Sequence, residues 1–217
     1  MSASRFVVVD YGGAEPRSEA EFDYDRTVAL SDGVFAIALT LLVLTITLPD
    51  LEGAAKHQLA DRLSGQLPQL LSYAISFGVL GLLWVRHHAL FRTLTRINWT
   101  LTVLNLAYLA LVAFLPYPTS LIGRYGDQSV SVVIYAITLV LITSLAAAMR
   151  VYTDRAGITA PDAPHESLRR YFVVSGTFLA SIPVALLIDP SAGLWMWTAL
   201  LLEAVRSRLR RKTPSSG

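Results

Sequence analysis

Residues 33–49, GVFAIALTLLVLTITLP, are a run of 17 without a single charge. A helix rises about 1.5 Å per residue and needs roughly 17–25 mostly apolar residues to cross the hydrocarbon core of a bilayer. Outward from this stretch lie five more uncharged runs, 63–85, 97–123, 128–149, 171–188 and 190–202, of 23, 27, 22, 18 and 13 residues. Five of the six are long enough alone, and the last needs help from its flanks. The 217-residue chain is 53% hydrophobic and 16% charged, with mean hydropathy +0.50. A soluble domain carries about 25% charge. The pattern excludes a secreted domain, a disordered chain and a soluble nucleic-acid binder. The fold class it predicts is all-α, a polytopic membrane protein with six transmembrane helices.

Absences narrow the chemistry. With no cysteine there is no disulfide, thiolate metal site or cysteine nucleophile. Residues 1–26 hold six acids and three arginines, and their one apolar stretch is Phe6 to Val9, so no cleavable leader is read there. The pI near 9.0 does not signal nucleic acid, because the basic residues sit between and beyond the apolar runs.

Orientation follows from Lys and Arg. The N-terminal arm, the second and fourth loops and the tail together carry 15; the first, third and fifth loops carry 3. With six spans, both termini are expected in the cytoplasm of a multi-pass cell-membrane protein. The asymmetry also supports the sixth span, since five spans would turn the Arg-rich tail outward.

The domain organisation expected is a mobile cytoplasmic arm at 1–25, a six-helix domain at 26–205 and a basic tail at 206–217. Helix 1 is expected from about Arg26 to Leu48, where Pro49-Asp50 stops it. Helix 2 is expected over 63–86. Helix 3 should cover 97–115 and end at Pro116-Tyr117-Pro118, since proline cannot continue a regular helix. Helices 4 and 5 are expected over 129–150 and 167–188. Helix 6 is expected from 191 to 205, with Trp195 and Trp197 as anchors in the outer interface.

Helix 1 carries the functional signal. It opens Arg26-Thr-Val-Ala-Leu30-Ser31-Asp32-Gly33-Val34-Phe35-Ala36-Ile37. An acid and an arginine at a membrane entrance are costly unless paired or hydrated. Helix capping is one account, because an acid is favourable at the positive end of the helix dipole. At 100° per residue, Ile37, Thr40, Leu41, Leu44 and Leu48 fall within about 100° on one face, and Asp32 points away from it. That stripe either meets lipid or neighbouring helices, or lines a narrow pore whose rings of branched side chains gate by dewetting.

The run Arg26-x3-Leu30-Ser31-Asp32 resembles the signature of the transmembrane protein 175 family, lysosomal potassium channels of animals and their bacterial single-repeat relatives. The family hallmark is Arg-x3-Phe-Ser-Asp, so Leu30 departs from it. Helix 2 ends Ser72-Tyr73-x2-Ser76-Phe77-x6-Trp84-x2-His87-His88, which is similar to the family's second helix, and Asn98 and Pro116-Tyr117-Pro118-Thr119 bracket helix 3 in the family manner. The likeness covers about 26–125. It implies a potassium-permeable channel with nothing like the Thr-Val-Gly-Tyr-Gly filter, built as a homotetramer in the bilayer with helix 1 lining a central pore. Matched from the Ser-Asp pair, the pore constriction falls on Ile37, Leu41 and Leu44, and selectivity on Thr40 with Ile37. No cofactor, enzyme activity or resident metal is implied, only permeant potassium.

Given the charge topology, Ser31, Asp32, Trp84, Arg86, His87, His88 and Asn98 share one depth. They are expected to form a polar cluster clamping helices 1–3, with Arg26 and the histidines as partners for Asp32. A zinc site does not fit, because His87 and His88 lie about 100° apart around a helix. The alternative function is a small secondary transporter or proton-coupled carrier, which would usually need an ionisable or broken-helix site near the midplane. No charged residue lies near the middle of any span.

Overall fold

The computed structural model describes residues 19–47, 63–163 and 169–190, together with Ala192 and Trp197. Every long element is an α-helix, as hydrocarbon demands of a backbone that must satisfy its own polar groups. In chain order these are α1 (Glu19–Leu41), which runs on as a 3-10 turn (Leu42–Thr45), then α2 (Leu67–Phe91), α3 (Trp99–Phe114), α4 (Pro116–Tyr125), α5 (Ser129–Arg155) and α6 (Arg169–Leu187). Among the described residues, four helical segments are long and apolar enough to cross a membrane: Tyr24–Thr45, Leu67–Phe91, Trp99–Tyr125 and Ser129–Arg155. Val173–Leu187 is a shorter apolar helix. The expected sixth span lies outside the described residues except for Ala192 and Trp197, as do Leu48, Trp195, residues 1–18 and the basic tail.

Three expectations need correction. The first helix begins at Glu19, well before Arg26. The third span does not end at Pro116-Tyr117-Pro118. Leu115 keeps helical dihedrals, φ −55° and ψ −33°, and α4 continues to Tyr125. Both prolines fall in the first turn of α4, where a missing N–H costs nothing, and Thr119 N–H resumes the ladder by donating to the Leu115 carbonyl at 3.2 Å. Trp197 is not an interfacial anchor. It is 2% exposed, stacked on Tyr135 with centroids 4.8 Å apart and tilted against Phe178 at 5.7 Å. An aromatic near a span end is drawn into the bundle when rings of adjacent helices offer it a slot.

Packing follows from what each helix leaves apolar and small. Lipid tails are as apolar as leucine, so these helices associate through close packing and interhelical hydrogen bonds rather than through escape from water. α1 buries Phe35, Ala38 and Leu42, residues three and four apart on one ridge. α5 supplies the other wall with Tyr135, Leu139 and Ile142. Toward one end of the bundle, Ser76, Thr119 and Tyr135 satisfy one another, with Thr119 Oγ1 donating to Ser76 Oγ at 2.9 Å and Ser76 Oγ lying 3.0 Å from the Tyr135 hydroxyl. At the opposite end, the turn after α2 meets the turn after α5. Thr95 N–H donates to the Ile158 carbonyl at 2.9 Å, and Ala160 N–H to the Thr93 carbonyl at 2.8 Å. Gly157, at φ 61°, takes the left-handed step that ends α5 and turns the chain toward this pairing.

Candidate functional site

The two sides of α1 differ completely in exposure. Phe35 and Leu42 are 1% and 0% exposed, whereas Ile37 is 60%, Leu41 41% and Leu44 71% exposed. Thr40 is exposed as well. The stripe of Ile37, Thr40, Leu41 and Leu44 expected from the periodicity is therefore one continuous apolar face that this chain leaves uncovered, carrying a single hydroxyl. The Thr40 Oγ1 proton is committed to the Ile37 carbonyl at 2.8 Å, which leaves lone pairs of that oxygen available outward. The 3-10 turn was not legible from hydropathy. Residues three apart eclipse in such a turn, so it keeps Leu44 in line with Leu41.

Of the residues expected in one polar cluster, Ser31, His87, Asp32, Trp84 and His88 fall into two arrangements. In the first, Ser31 Oγ donates to the Thr27 carbonyl at 2.8 Å and accepts from Asn105 Nδ2 at 3.0 Å, and Asn105 Oδ1 lies 2.7 Å from His87 Nε2. These three side chains are 1%, 1% and 5% exposed. The His87 ring also stacks between Phe91, at 4.3 Å, and Tyr108, at 5.3 Å. Aromatic faces above and below, with one ring nitrogen on an amide, hold the imidazole in a single orientation. Asn105 was not anticipated, although a lone asparagine in the middle of an apolar span is itself a signal, since its amide must find partners inside the protein.

In the second arrangement, Trp84 Nε1 donates to Asp32 Oδ1 at 2.9 Å, and the Trp84 indole stacks on His88 with centroids 5.6 Å apart. Asp32 thus takes an indole N–H as a hydrogen-bond donor. Arg26 lies on the exposed side of α1. Arg86 sits 6.0 Å over the Tyr171 ring, at a cavity of about 10 Å³ that His87 and Tyr108 also line, the room of a single water. Asn98 belongs to neither arrangement. It caps α3 by accepting from Leu101 N–H at 3.0 Å and donates to the Tyr152 hydroxyl at 2.8 Å, tying α3 to α5. Among the described residues no group of three or more His, Asp or Glu side chains is placed to hold a metal ion.

Comparison with known proteins agrees with this architecture. Residues 26–116 match the family model described as endosomal/lysosomal potassium channel TMEM175. A Streptomyces collinus protein named as a potassium channel is 39% identical over 119 residues, covering 53% of this chain and 57% of that protein. The human protein named endosomal/lysosomal proton channel TMEM175 is 34% identical over 153 residues, covering 66% of this chain and 29% of its own length. The matched part is thus little more than half of the bacterial relative and under a third of the human one. Among solved structures, that of a lysosomal potassium-selective channel TMEM175 homolog from Chamaesiphon minutus superimposes with a TM-score of 0.74. It is 29% identical, with 86% of this chain and 98% of that chain covered.

Proposed function

We propose that this chain is a member of the TMEM175 family and a potassium-permeable channel in which four copies of α1 surround the axis of a homotetramer. The family is one of ion channels, not of enzymes. The observation that carries the reading is the uncovered face of α1. A chain that buries Phe35, Ala38 and Leu42 against itself leaves Ile37, Leu41 and Leu44 for something outside the chain. Closed cyclic symmetry brings four such faces together around one path.

The mechanism follows from side-chain chemistry. Rings of four isoleucines or leucines around a narrow neck offer water no hydrogen bonds, so the neck dries and blocks ions until the helices move apart. Between the Ile37 and Leu41 levels the Thr40 oxygens are the polar groups on the stripe, and they offer lone pairs to a partly dehydrated potassium ion. No Thr-Val-Gly-Tyr-Gly filter takes part. The Ser31–Asn105–His87 chain and the Trp84–Asp32 bond fix the inner end of α1 to α2 and α3, so the pore helix starts from a rigid seat. Both termini are cytoplasmic in this reading, with residues 1–25 as an arm, 26–205 as the channel domain and 206–217 as a basic tail, in the cell membrane. A midplane carrier site is the less supported reading, since Asp32, the acid furthest inside a described span, is bonded to Trp84 of α2.

Reconstitution into liposomes with bi-ionic potentials tests the reading. A potassium gradient should set the reversal potential against sodium. A reversal potential that follows only the proton gradient would replace potassium by protons as the permeant ion, and the absence of any current would remove the channel assignment. Cysteines placed at positions 3 and 214 should resist a membrane-impermeant reagent applied to intact cells. Labelling of either from outside would overturn the topology.

A further inference from the structure

The outer end of α1 is held by side chains that the permeation reading does not use. The α-helical ladder stops at Leu41, and Leu42–Thr45 winds as a 3-10 turn, with Thr45 Oγ1 donating to the Leu42 carbonyl at 2.7 Å. Continued α-helix would carry Leu44 about 60° around the axis from Leu41, whereas the tighter turn eclipses them. Such turns have poor internal hydrogen-bond geometry, and a helix end leaves backbone groups to be satisfied from elsewhere.

Two residues past this turn, side chains at the start of α2 hold the backbone of Thr47. Thr47 N–H donates to Gln69 Oε1 at 2.9 Å, and Thr47 Oγ1 donates to the same oxygen at 3.2 Å. Gln66 Nε2 donates to the Thr47 carbonyl. Both main-chain groups of Thr47 are therefore gripped by amides one turn apart on α2. The grip has a backing. Ser72 Oγ donates to the Gln69 carbonyl at 2.9 Å, and the backbone of α4 lies directly behind. A Cβ on Gly123 would come within 2.7 Å of Ser72 Oγ and 3.2 Å of Gln69 Cα, so a side chain there would press on Ser72 and on the Gln69 backbone.

We propose that Gln66 and Gln69, braced by Gly123, form a collar that sets the radius of the Leu44 ring and so of the outer constriction. The proposal rests on the reading of α1 as the pore helix. The glutamines are positioning residues: they touch the backbone of α1, not the ion. Their influence is local, because Ile37 is held by the intrahelical bonds of α1 whereas Leu44 lies past the end of that ladder.

The test uses the full chain, which has no cysteine of its own. Single substitutions Leu44→Cys and Ile37→Cys each place a ring of four thiols around the axis, and Cd²⁺ block of the current in liposomes reports how closely those thiols approach. In the collar-intact background both variants should be blocked. Adding Gln69→Leu should weaken block at position 44 by about tenfold, the scale of one or two lost hydrogen bonds, and change block at position 37 by less than about twofold. Gln69→Glu keeps the accepting oxygen and should restore block at position 44. Should Gln69→Leu fail to assemble, Thr47→Val removes only the hydroxyl bond and Gly123→Ala displaces Gln69 from behind, and each should shift position 44 alone. Block at both positions with no shift from any collar variant, or equal shifts at both, overturns the collar and leaves the pore reading standing. Block at neither position in the collar-intact background removes the pore reading and the collar with it.

Discussion

The two faces of α1 are built from the same kinds of residue and have opposite fates. Phe35, Ala38 and Leu42 point into the chain's own core, while Ile37, Leu41 and Leu44 stand away from it. Hydropathy does not separate them, since both are aliphatic or aromatic. The polar residues that share a ridge with each face do. The buried ridge begins at Ser31, whose hydroxyl also accepts from Asn105 of α3, and ends at the buried Thr45. The uncovered face carries Thr40, whose proton stays on its own helix and whose oxygen is left outward. In a bilayer, where apolar surface alone gives little direction to packing, a hydroxyl bonded to another helix, as Ser31 is to Asn105, marks the side that belongs to the fold.

The sharpest way to break this comparison is to exchange size on one face and polarity on the other. Leu42→Ala should cost about 2–4 kcal/mol, since a fully buried leucine leaves a cavity that its neighbours refill only in part. Thermal unfolding of the purified protein should show a clear drop. Leu41→Asn, one residue away, should leave the unfolding temperature almost unchanged and, on the pore reading proposed above, raise leak current per reconstituted channel several-fold by wetting the neck. If the two substitutions behaved alike in both assays, the faces would not differ in role.

Next in size is the seat of α1. Asn105→Leu fills the space but leaves Ser31 without its amide donor and His87 Nε2 without its amide partner, at a cost of about 1–3 kcal/mol. The expected result is a lower yield of folded protein, with the ion preference of the surviving channels unchanged. Altered selectivity at normal yield would move this network from anchoring to permeation. Trp84→Phe should have a smaller effect, about 1 kcal/mol, because Asp32 is only half-buried and water can replace the lost indole N–H. Asp32→Asn, which retains an accepting oxygen, should be milder still than Asp32→Ala in unfolding temperature.

How much of this could be read without coordinates depends on whether the cause is local. Periodicity is local, so Ile37, Leu41 and Leu44 fell on one stripe from spacing alone, and the exposures agree. Shared depth follows from charge topology, so Ser31 and His87 were placed in one cluster, and they do belong to one hydrogen-bonded chain. Their connection through Asn105 depends on the rotation of α3, which an almost uniformly apolar helix does not encode. Asn98 is expected in the same cluster, yet it serves the first turn of its own helix, because a side chain at the N-cap finds an orphan N–H sooner than a distant partner. The prolines at 116 and 118 misled for a related reason. A proline forbids the interior of a helix, not its first turn, and only the geometry of Leu115 tells the two apart. The glutamines at 66 and 69 face a residue about twenty positions earlier, a pairing that no spacing rule reaches.

The smallest energetic effect belongs to Thr40, and it separates permeation from folding most cleanly. Its hydroxyl donates to the carbonyl three residues back, a bond that adds little to a helix and is often neutral. Thr40→Ala should therefore change the unfolding temperature by an amount equivalent to no more than about 0.5 kcal/mol. The oxygen, by contrast, sits between the levels of Ile37 and Leu41 on the uncovered face, and four copies around an axis would make the one polar ring on an aliphatic neck. A potassium ion that sheds water there gains those four oxygens, and sodium, which holds its hydration more strongly, gains less. The potassium-over-sodium permeability ratio from bi-ionic potentials should thus fall toward unity in Thr40→Ala, with open probability nearly unaltered because the aliphatic rings remain. Thr40→Ser keeps the oxygen and should retain the ratio. A ratio that survives Thr40→Ala would mean that the hydroxyl is ordinary helix chemistry. Discrimination would then have to come from the width of the aliphatic rings themselves.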